Sequence, residues 1–326
     1  MGKKLSSGEM VLDYLGRFPS LSSHKLAELL YSEGGGHFSS KESARCMVRY
    51  YRGAKGDVAR RKLSPEDYHP RISMPEADED DFSIYQIPAS GYPIIAGGDA
   101  HAPYHDQDAL ELFLEQAVKI GAKTVLLAGD WMDCYQLSRY LKDPRKRNVK
   151  EELDMVKGIL DIIHSALPGA KIIYKVGNHE ERLDAYLMAN APMLFDLAEV
   201  HLDNLLGLKA RGIDYITNKR IIKAGHLHII HGHEYIYSIS NPVNPARGLY
   251  NRAKKSALCF HHHQTSEHTE PAINGDVVTT WSGGCLCGLR PQYMPLNKWN
   301  HGFTEIYNDD GFFTVSNRRI INYRIV

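Results

Sequence analysis

The sequence predicts an α/β fold preceded by a small helical unit. Three observations carry this. From Tyr92 onward, apolar runs of strand length alternate with amphipathic runs of helical length. Residues 8–62 instead show helical spacing alone. Five polar segments, each supplying Asp, Asn or His, directly follow apolar runs: Asp99-Ala100-His101, Gly129-Asp130-Trp131-Met132-Asp133, Gly177-Asn178-His179-Glu180, His231-Gly232-His233 and His261-His262-His263.

In the helical part, Met10, Val11, Tyr14 and Leu15 fall at helical spacing. Ser22-Ser23 can cap a second helix through Lys25, Leu26, Leu29 and Leu30, broken by Gly34-Gly35-Gly36. Ser39 or Ser40 caps a third, from Lys41 to about Tyr51, with Lys41, Arg45, Arg49 and Arg52 on one face. Residues 1–72 therefore read as a helix-turn-helix or winged-helix-like domain. Residues 73–91, with Pro75, Pro88 and the acidic run Glu76, Asp78, Glu79, Asp80, Asp81, read as a linker. Residues 92–326 read as the catalytic domain. There the expected strands are Pro93 to Gly97, Thr124 to Ala128, Ile172 to Val176, Leu227 to Ile230 and Ser256 to Phe260. Helices are expected from about Asp106 and around Met155 to Leu167. Val277 to Trp281, Gly302 to Tyr307 and Phe312 to Val315 are expected as late, antiparallel strands.

The composition is globular: 326 residues, 43% hydrophobic and 24% charged, with zero formal net charge. A zero net charge names no partner by long-range field. Residues 1–72, however, hold thirteen Lys/Arg against eight Asp/Glu. No apolar run of about 18 residues exists, so no membrane span is expected. The N-terminus lacks the apolar stretch of a signal peptide, and the five cysteines are scattered, so a cytoplasmic protein with reduced thiols is expected.

Ligand sites in α/β folds form beyond the carboxyl ends of strands, where all five polar segments sit. An Asp-x-His pair presents both side chains to one side, so Asp99 and His101 can share an ion. The carboxylate of Asp130, in a Gly-Asp turn, can bridge two ions. Asn178 offers a neutral hard oxygen, and imidazoles at 231, 261 and 263 complete two sets. Oxygen and nitrogen ligands without thiolate suit manganese first, with iron, zinc or magnesium as alternatives. Gly129 and Gly177 let the backbone approach closely. His179 is placed to protonate a leaving oxygen, and Glu180 to orient an imidazole. His233, Trp131 and Tyr135 are candidate substrate contacts. So are Arg247 and Arg252, in a basic segment with Lys254 and Lys255.

These blocks, in this order, resemble those of the calcineurin-like metallophosphoesterase superfamily over about residues 92–320. The resemblance implies a four-layer β-sandwich flanked by helices, not an open doubly wound sheet. It implies one metal on Asp99, His101, Asp130 and His263, and a second on Asp130, Asn178, His231 and His261, with His179 as the catalytic histidine. The chain departs from the family pattern twice. Phe260 and His262 replace the usual Gly and Thr of the last block, and the three consecutive imidazoles leave the ligand choice open, though alternation favours 261 with 263. Asp133-Cys134-Tyr135 replaces the Asp-Arg-Gly of the protein Ser/Thr phosphatases, which argues against a phosphoprotein substrate. The expected activity is phosphoester hydrolysis by a metal-bound hydroxide, on phosphodiesters or nucleic acid. The alternatives are a phosphomonoesterase on a small molecule or phosphoprotein, and a DNA-binding regulator using the fold as scaffold. Nucleic acid is the expected partner of the N-terminal unit.

Overall fold

The computed structural model describes residues 5–33, 36–53, 82–143, 145–146, 148–235, 243–309 and 312–326. The acidic run at 76–81 and the first part of the expected linker lie outside the described residues. By its contacts the chain divides into two compact units, 1–78 and 79–326.

Among the described residues, the first unit contains three helices: α1 (Ser7–Arg17), α2 (Ser23–Glu33) and α3 (Lys41–Tyr51). Each start has a side-chain reason. Ser6 and Glu9 form a reciprocal capping box, Ser22 accepts from the Lys25 amide, and Ser40 accepts from Ser43. Val11, Leu26, Leu30, Phe38, Ala44 and Val48 form the buried core. The basic face of α3 is largely engaged within the unit. Lys41 lies 3.6 Å from Glu28, Arg45 lies 3.3 Å from Glu42, and Arg52 donates to Ser23 Oγ and to the Leu21 carbonyl.

The second unit holds strands β1 (Tyr85–Ile87), β2 (Ile94–Gly97), β3 (Thr124–Ala128), β4 (Lys171–Lys175), β5 (Asp214–Ile216), β6 (Ile222–Ala224), β7 (Leu227–Ile229), β8 (Ala257–Cys259), β9 (Thr265–Pro271), β10 (Val277–Gly283), β11 (Gly302–Asp309), β12 (Phe312–Ile321) and β13 (Arg324–Ile325). Its helices are α4 (Gln107–Lys119), α5 (Val149–Ala166), α6 (Glu181–Asn190), α7 (Leu202–Leu206) and α8 (Pro245–Ala253). One sheet runs β13-β12-β11-β2-β3-β4-β5 and the other β1-β6-β7-β8-β10-β9. Strands β2 to β5 are mutually parallel, and so are β7, β8 and β10.

Alternation along the strands builds the layers. Ile94, Ala96, Leu126, Ala128 and Ile173 turn inward to meet Ile222, Leu227, Ile229, Leu258 and Phe260 of the other sheet. Ile95, Val125, Leu127, Ile172 and Tyr174 turn outward onto Phe113 of α4 and Val156, Leu160 and Ile163 of α5. Leu249 of α8 covers Ala257 and Cys259 on the far side. The order is helices, sheet, sheet, helix, which is the four-layer sandwich.

Two expectations need correction. Residues 85–87, expected in the linker, form β1 and pair with β6; the four residues between Ser83 and Pro88 are too few to show a period. The strand at 277–283 is antiparallel to β9 but parallel to β8, because β8 reaches it through the β9 hairpin.

Candidate metal centre

Parallel neighbours end at the same edge of a sheet. The carboxyl ends of β2, β3 and β4 therefore present Asp99, Asp130 and Asn178 side by side. The ends of β7 and β8, parallel in the facing sheet, present His231 and His261. After each strand the chain turns sharply. Asp99, His101, Asp130, His261 and His263 all have φ between +49° and +62°. Such left-handed backbone costs about 1–2 kcal/mol per non-glycine residue and is retained where surrounding structure imposes it. Here it aims five side chains at one place.

His101 Nε2 and His263 Nε2 are 3.2 Å apart, and His263 Nε2 is 3.1 Å from Asp99 Oδ1. His231 Nε2 is 3.3 Å from both Asp130 Oδ2 and Asn178 Oδ1. His101 Nε2 lies 3.8 Å from the same Asp130 oxygen, so Asp130 stands between the two groups. Ligand atoms about 2.1 Å from a shared ion lie roughly 3–3.5 Å apart. The close pairs have that spacing. His231, His261 and Asp130 form one potential metal cluster, and His101 belongs to two others, one with Asp130 and His179 and one with His263 and Cys287. His262 belongs to none of these clusters, and its buried Nε2 has no hydrogen-bond partner.

Charge and hydrogen bonding fit cations. Asp99 and Asp130 are buried 0% and 1% exposed, and Asp99 Oδ1 makes no hydrogen bond of acceptable geometry although three imidazole nitrogens lie within 4.0 Å. Burial opposes a charged His231 and a charged His263. The neighbouring Asp130 and Asp99 nevertheless push both pKa values up to about 10. Two buried carboxylates thus draw positive charge to this spot. His231 Nδ1–H donates to the Ala128 carbonyl at 2.9 Å, which directs Nε2 at the cluster. His101 Nδ1 is held in the same way by Asp133 Oδ1 at 3.1 Å. The residues present fit a pair of hard divalent ions.

Two buried carboxylates hold the turns. Glu180, 2% exposed, was expected to orient an imidazole; instead it binds main chain. Its oxygens accept from the amides of Asp130, Trp131, Met132 and Gly177 and from the Tyr174 hydroxyl, at 2.7 to 3.0 Å. Glu234 does the same for the other sheet, accepting from the His231 and Gly232 amides and pairing with buried Lys175 at 2.9 Å. Burial opposes its charge, but Lys175 holds its pKa down to about 2. The two glycines are required by approach. A Cβ on Gly177 would sit 2.2 Å from Asp130 Oδ1, and one on Gly129 would sit 2.4 Å from His231 Nδ1.

His179 lies at the cluster edge. Its Nδ1 is 2.9 Å from the Asp133 carbonyl and 3.1 Å from Asp133 Oδ1, and its Nε2 is 3.8 Å from Asp130 Oδ2. Burial opposes the ionised form of Asp133, but hydrogen bonds from His101 and His179 outweigh it and keep its pKa well below the ordinary carboxylate value.

The two facing sheets flanked by helices are the four-layer sandwich that the sequence resemblance implies. Solved structures similar to it include a Vps29 mutant from Entamoeba histolytica (14% identity over 72% of this chain and 95% of that one, TM-score 0.37). A dimetal phosphatase from Danio rerio matches at 11% identity over 70% and 96%, TM-score 0.37. The nuclease MPE from Pseudomonas putida matches at 11% identity over 68% and 87%, TM-score 0.28. No family model and no curated protein sequence matches the chain. With scores this low, the two-sheet topology and the ordered ligand blocks carry the resemblance.

Of the substrate contacts expected from the sequence, Trp131 is corrected. It is 1% exposed, its indole N–H donates to the Gly97 carbonyl, and it packs on Phe113. The Glu180-held turn points it into the helix–sheet core. His233 lies beside His231 but is nearly buried, with Nε2 tied to Glu181 at 3.0 Å. Arg247 and Arg252 are exposed on α8, and neither bonds to a residue of the cluster. Three residues near the cluster had not been singled out: Arg182, Tyr293 and Trp299. Trp299 lies 4.0 Å from the His263 ring and Tyr293 lies 6.2 Å from Trp299. Their signal was weak, since the segment from 288 to 300 lacks periodicity. Among the described residues, no helix is long and apolar enough to cross a membrane, and all five cysteines are free.

Behind Asp133, buried Glu152 in the first turn of α5 accepts from the Tyr135 amide, while its Oε2 has no partner. Burial, then the charge of Asp133, push its pKa from 4.5 up to about 7. The folded chain therefore holds a proton that the unfolded chain releases between pH 4.5 and 7, and this contribution to stability falls as pH rises through that window. Glu152→Gln removes the titration. Relative to wild type, E152Q is expected to gain about 2 kcal/mol between pH 5 and pH 8. Urea midpoints at the two pH values measure this; an equal wild-type–variant gap at both refutes it.

Proposed function

We propose that the chain is a dinuclear metal-dependent phosphoesterase. The observation that carries this is the convergence of Asp99, His101, Asp130, Asn178, His231, His261 and His263 from five strand ends of two facing sheets, with Asp130 between the two groups. Asp99, His101, Asp130 and His263 would hold one ion; Asp130, Asn178, His231 and His261 would hold the other. Manganese, iron, zinc and magnesium all suit these donors. When bound, such a pair lowers the pKa of water and neutralises charge developing on a phosphoryl group.

The chain's own residues do the rest. Asp133 orients both His101 and His179 through their Nδ1 atoms. With Nδ1 so held, His179 places Nε2 at the edge of the cluster, 3.8 Å from Asp130 Oδ2, the atom that would carry a proton to the departing alcohol oxygen. Glu180 and Glu234 keep rigid the turns that carry the ligands. The lean toward phosphodiester or nucleic-acid substrates is supported by the rings of Trp299 and exposed Tyr293 beside His263, which can stack on a base. Nucleic-acid contact by the N-terminal unit is part of this reading, though Lys41, Arg45 and Arg52 already have partners within it.

The test is hydrolysis of bis-p-nitrophenyl phosphate and of p-nitrophenyl phosphate by full-length protein loaded with each divalent ion in turn. Metal-dependent turnover of the diester above the monoester is expected. His179→Ala should lower turnover by about 10²- to 10⁴-fold with metal content unchanged. Metal-loaded protein inert toward both esters refutes the reading, and a fully active His179→Ala removes His179 from it.

A further inference from the structure

Among the described residues, the charged groups that converge on the candidate metal centre are carboxylates and imidazoles, with one exception. Arg182, in the first turn of α6, brings a guanidinium to its edge. Nη1 donates to the Asp133 carbonyl at 2.8 Å and Nη2 to His179 Nε2 at 2.8 Å. Among the described residues no carboxylate forms an ion pair with it. A guanidinium is a planar fork whose strongest partners are the paired oxygens of an anion. Here its prongs rest on a carbonyl and a ring nitrogen, both neutral acceptors.

The placement has a second consequence. His179 Nε2 is the atom proposed to serve the leaving oxygen. While it accepts from Arg182 it cannot donate to anything else, since one ring nitrogen holds either a lone pair or a hydrogen. The two side chains also share a pivot, because the Asp133 carbonyl accepts from His179 Nδ1 as well as from Arg182 Nη1. A shift of Nη2 by a few ångströms toward the cluster, with Nη1 still on Asp133, releases His179.

We propose that Arg182 is a phosphate-binding residue of this site: substrate entry draws Nη2 from His179 onto a non-bridging phosphate oxygen, which fixes the ester and uncovers the Nε2 lone pair, so that Nε2 can take up from solvent the proton it then passes to the leaving oxygen. This rests on the phosphoesterase reading above. The ligand class is a phosphate-ester anion, and inorganic phosphate carries the same oxygens. No covalent change occurs at Arg182; it exchanges one hydrogen-bond acceptor for a charged one.

The experiment compares wild type, R182A and R182K as full-length, metal-loaded proteins of measured metal content. Calorimetry with inorganic phosphate gives affinity independently of turnover. R182A is expected to bind phosphate at least tenfold more weakly and to lose about 10²-fold in kcat/KM for bis-p-nitrophenyl phosphate, with metal content unchanged. R182K should lie between, since it keeps the charge but not the fork. Millimolar guanidinium chloride should restore part of the R182A rate and leave wild type unaffected. R182A and R182K with phosphate affinity within twofold of wild type, or a wild type without phosphate affinity, overturn the proposal. A wild type that hydrolyses neither ester yet binds phosphate through Arg182 sinks the enzymatic reading and upholds the binding site.

Discussion

Asp130→Asn is expected to lower turnover by at least about 10³-fold, roughly 4 kcal/mol of transition-state stabilisation, and to reduce bound metal from two equivalents to one or fewer. The reason is position. Oδ2 of Asp130 lies 3.3 Å from His231 Nε2 and 3.8 Å from His101 Nε2, the imidazoles of the two proposed metal groups. No other carboxylate stands between them so closely. Asparagine keeps the shape and tolerates the φ of +53° at this position. It also keeps an oxygen able to accept from the His179 amide, as Asp130 Oδ1 does at 2.9 Å. What it removes is the charge that two bound cations would share. Metal analysis, initial rates and far-ultraviolet circular dichroism on one preparation separate the outcomes. Loss of metal and rate with a native spectrum is the expected result. Two equivalents of metal and wild-type turnover in the variant would falsify the bridging role.

Much of this site was legible because its information is local. Strand β3 is a run of five buried residues, and the motif that follows it names Asp130 directly. Asp99 likewise follows the fully buried β2, and His231 follows the short β7. What was hidden depends on tertiary partners. Strands β1, β5 and β6 have three residues each, as β7 and β8 do, but no ligand motif follows them to mark the strand end. Strand β9 is polar along its length because it is a sheet edge. Trp131 reads as pocket lining from its neighbours in sequence, but the direction of its indole is set by a turn held from Glu180, 49 residues away. Arg182 had a visible signal, the three-residue spacing from His179 at a helix start, which places both on one side. It carries meaning only once the Asp133 carbonyl is seen to receive both side chains.

Glu180→Gln is expected to destabilise the fold by about 3–5 kcal/mol, nearly as much as deleting the side chain. The two substitutions differ in shape and agree in chemistry. Glu180 accepts five hydrogen bonds in a site closed to water: Oε2 from the Asp130 and Gly177 amides, Oε1 from the Trp131 and Met132 amides and the Tyr174 hydroxyl. Glutamine fits the space, but its NH2 must face one of these two sets. Turned toward Asp130 and Gly177, it sets donor against donor at two buried amides. Turned the other way, it confronts two amides and a hydroxyl. Either flip leaves at least two buried main-chain donors unsatisfied, at about 1–3 kcal/mol each. Since those amides belong to the turns that aim Asp130 and Asn178, metal affinity should fall together with stability. Thermal melting with and without added divalent ion measures both. An E180Q protein that melts with wild type would mean that water reaches these amides and that Glu180 does not organise the turns. A lowered melting temperature with unchanged metal stoichiometry would separate the scaffold from the ligand geometry. The five bonds predict that the two fail together.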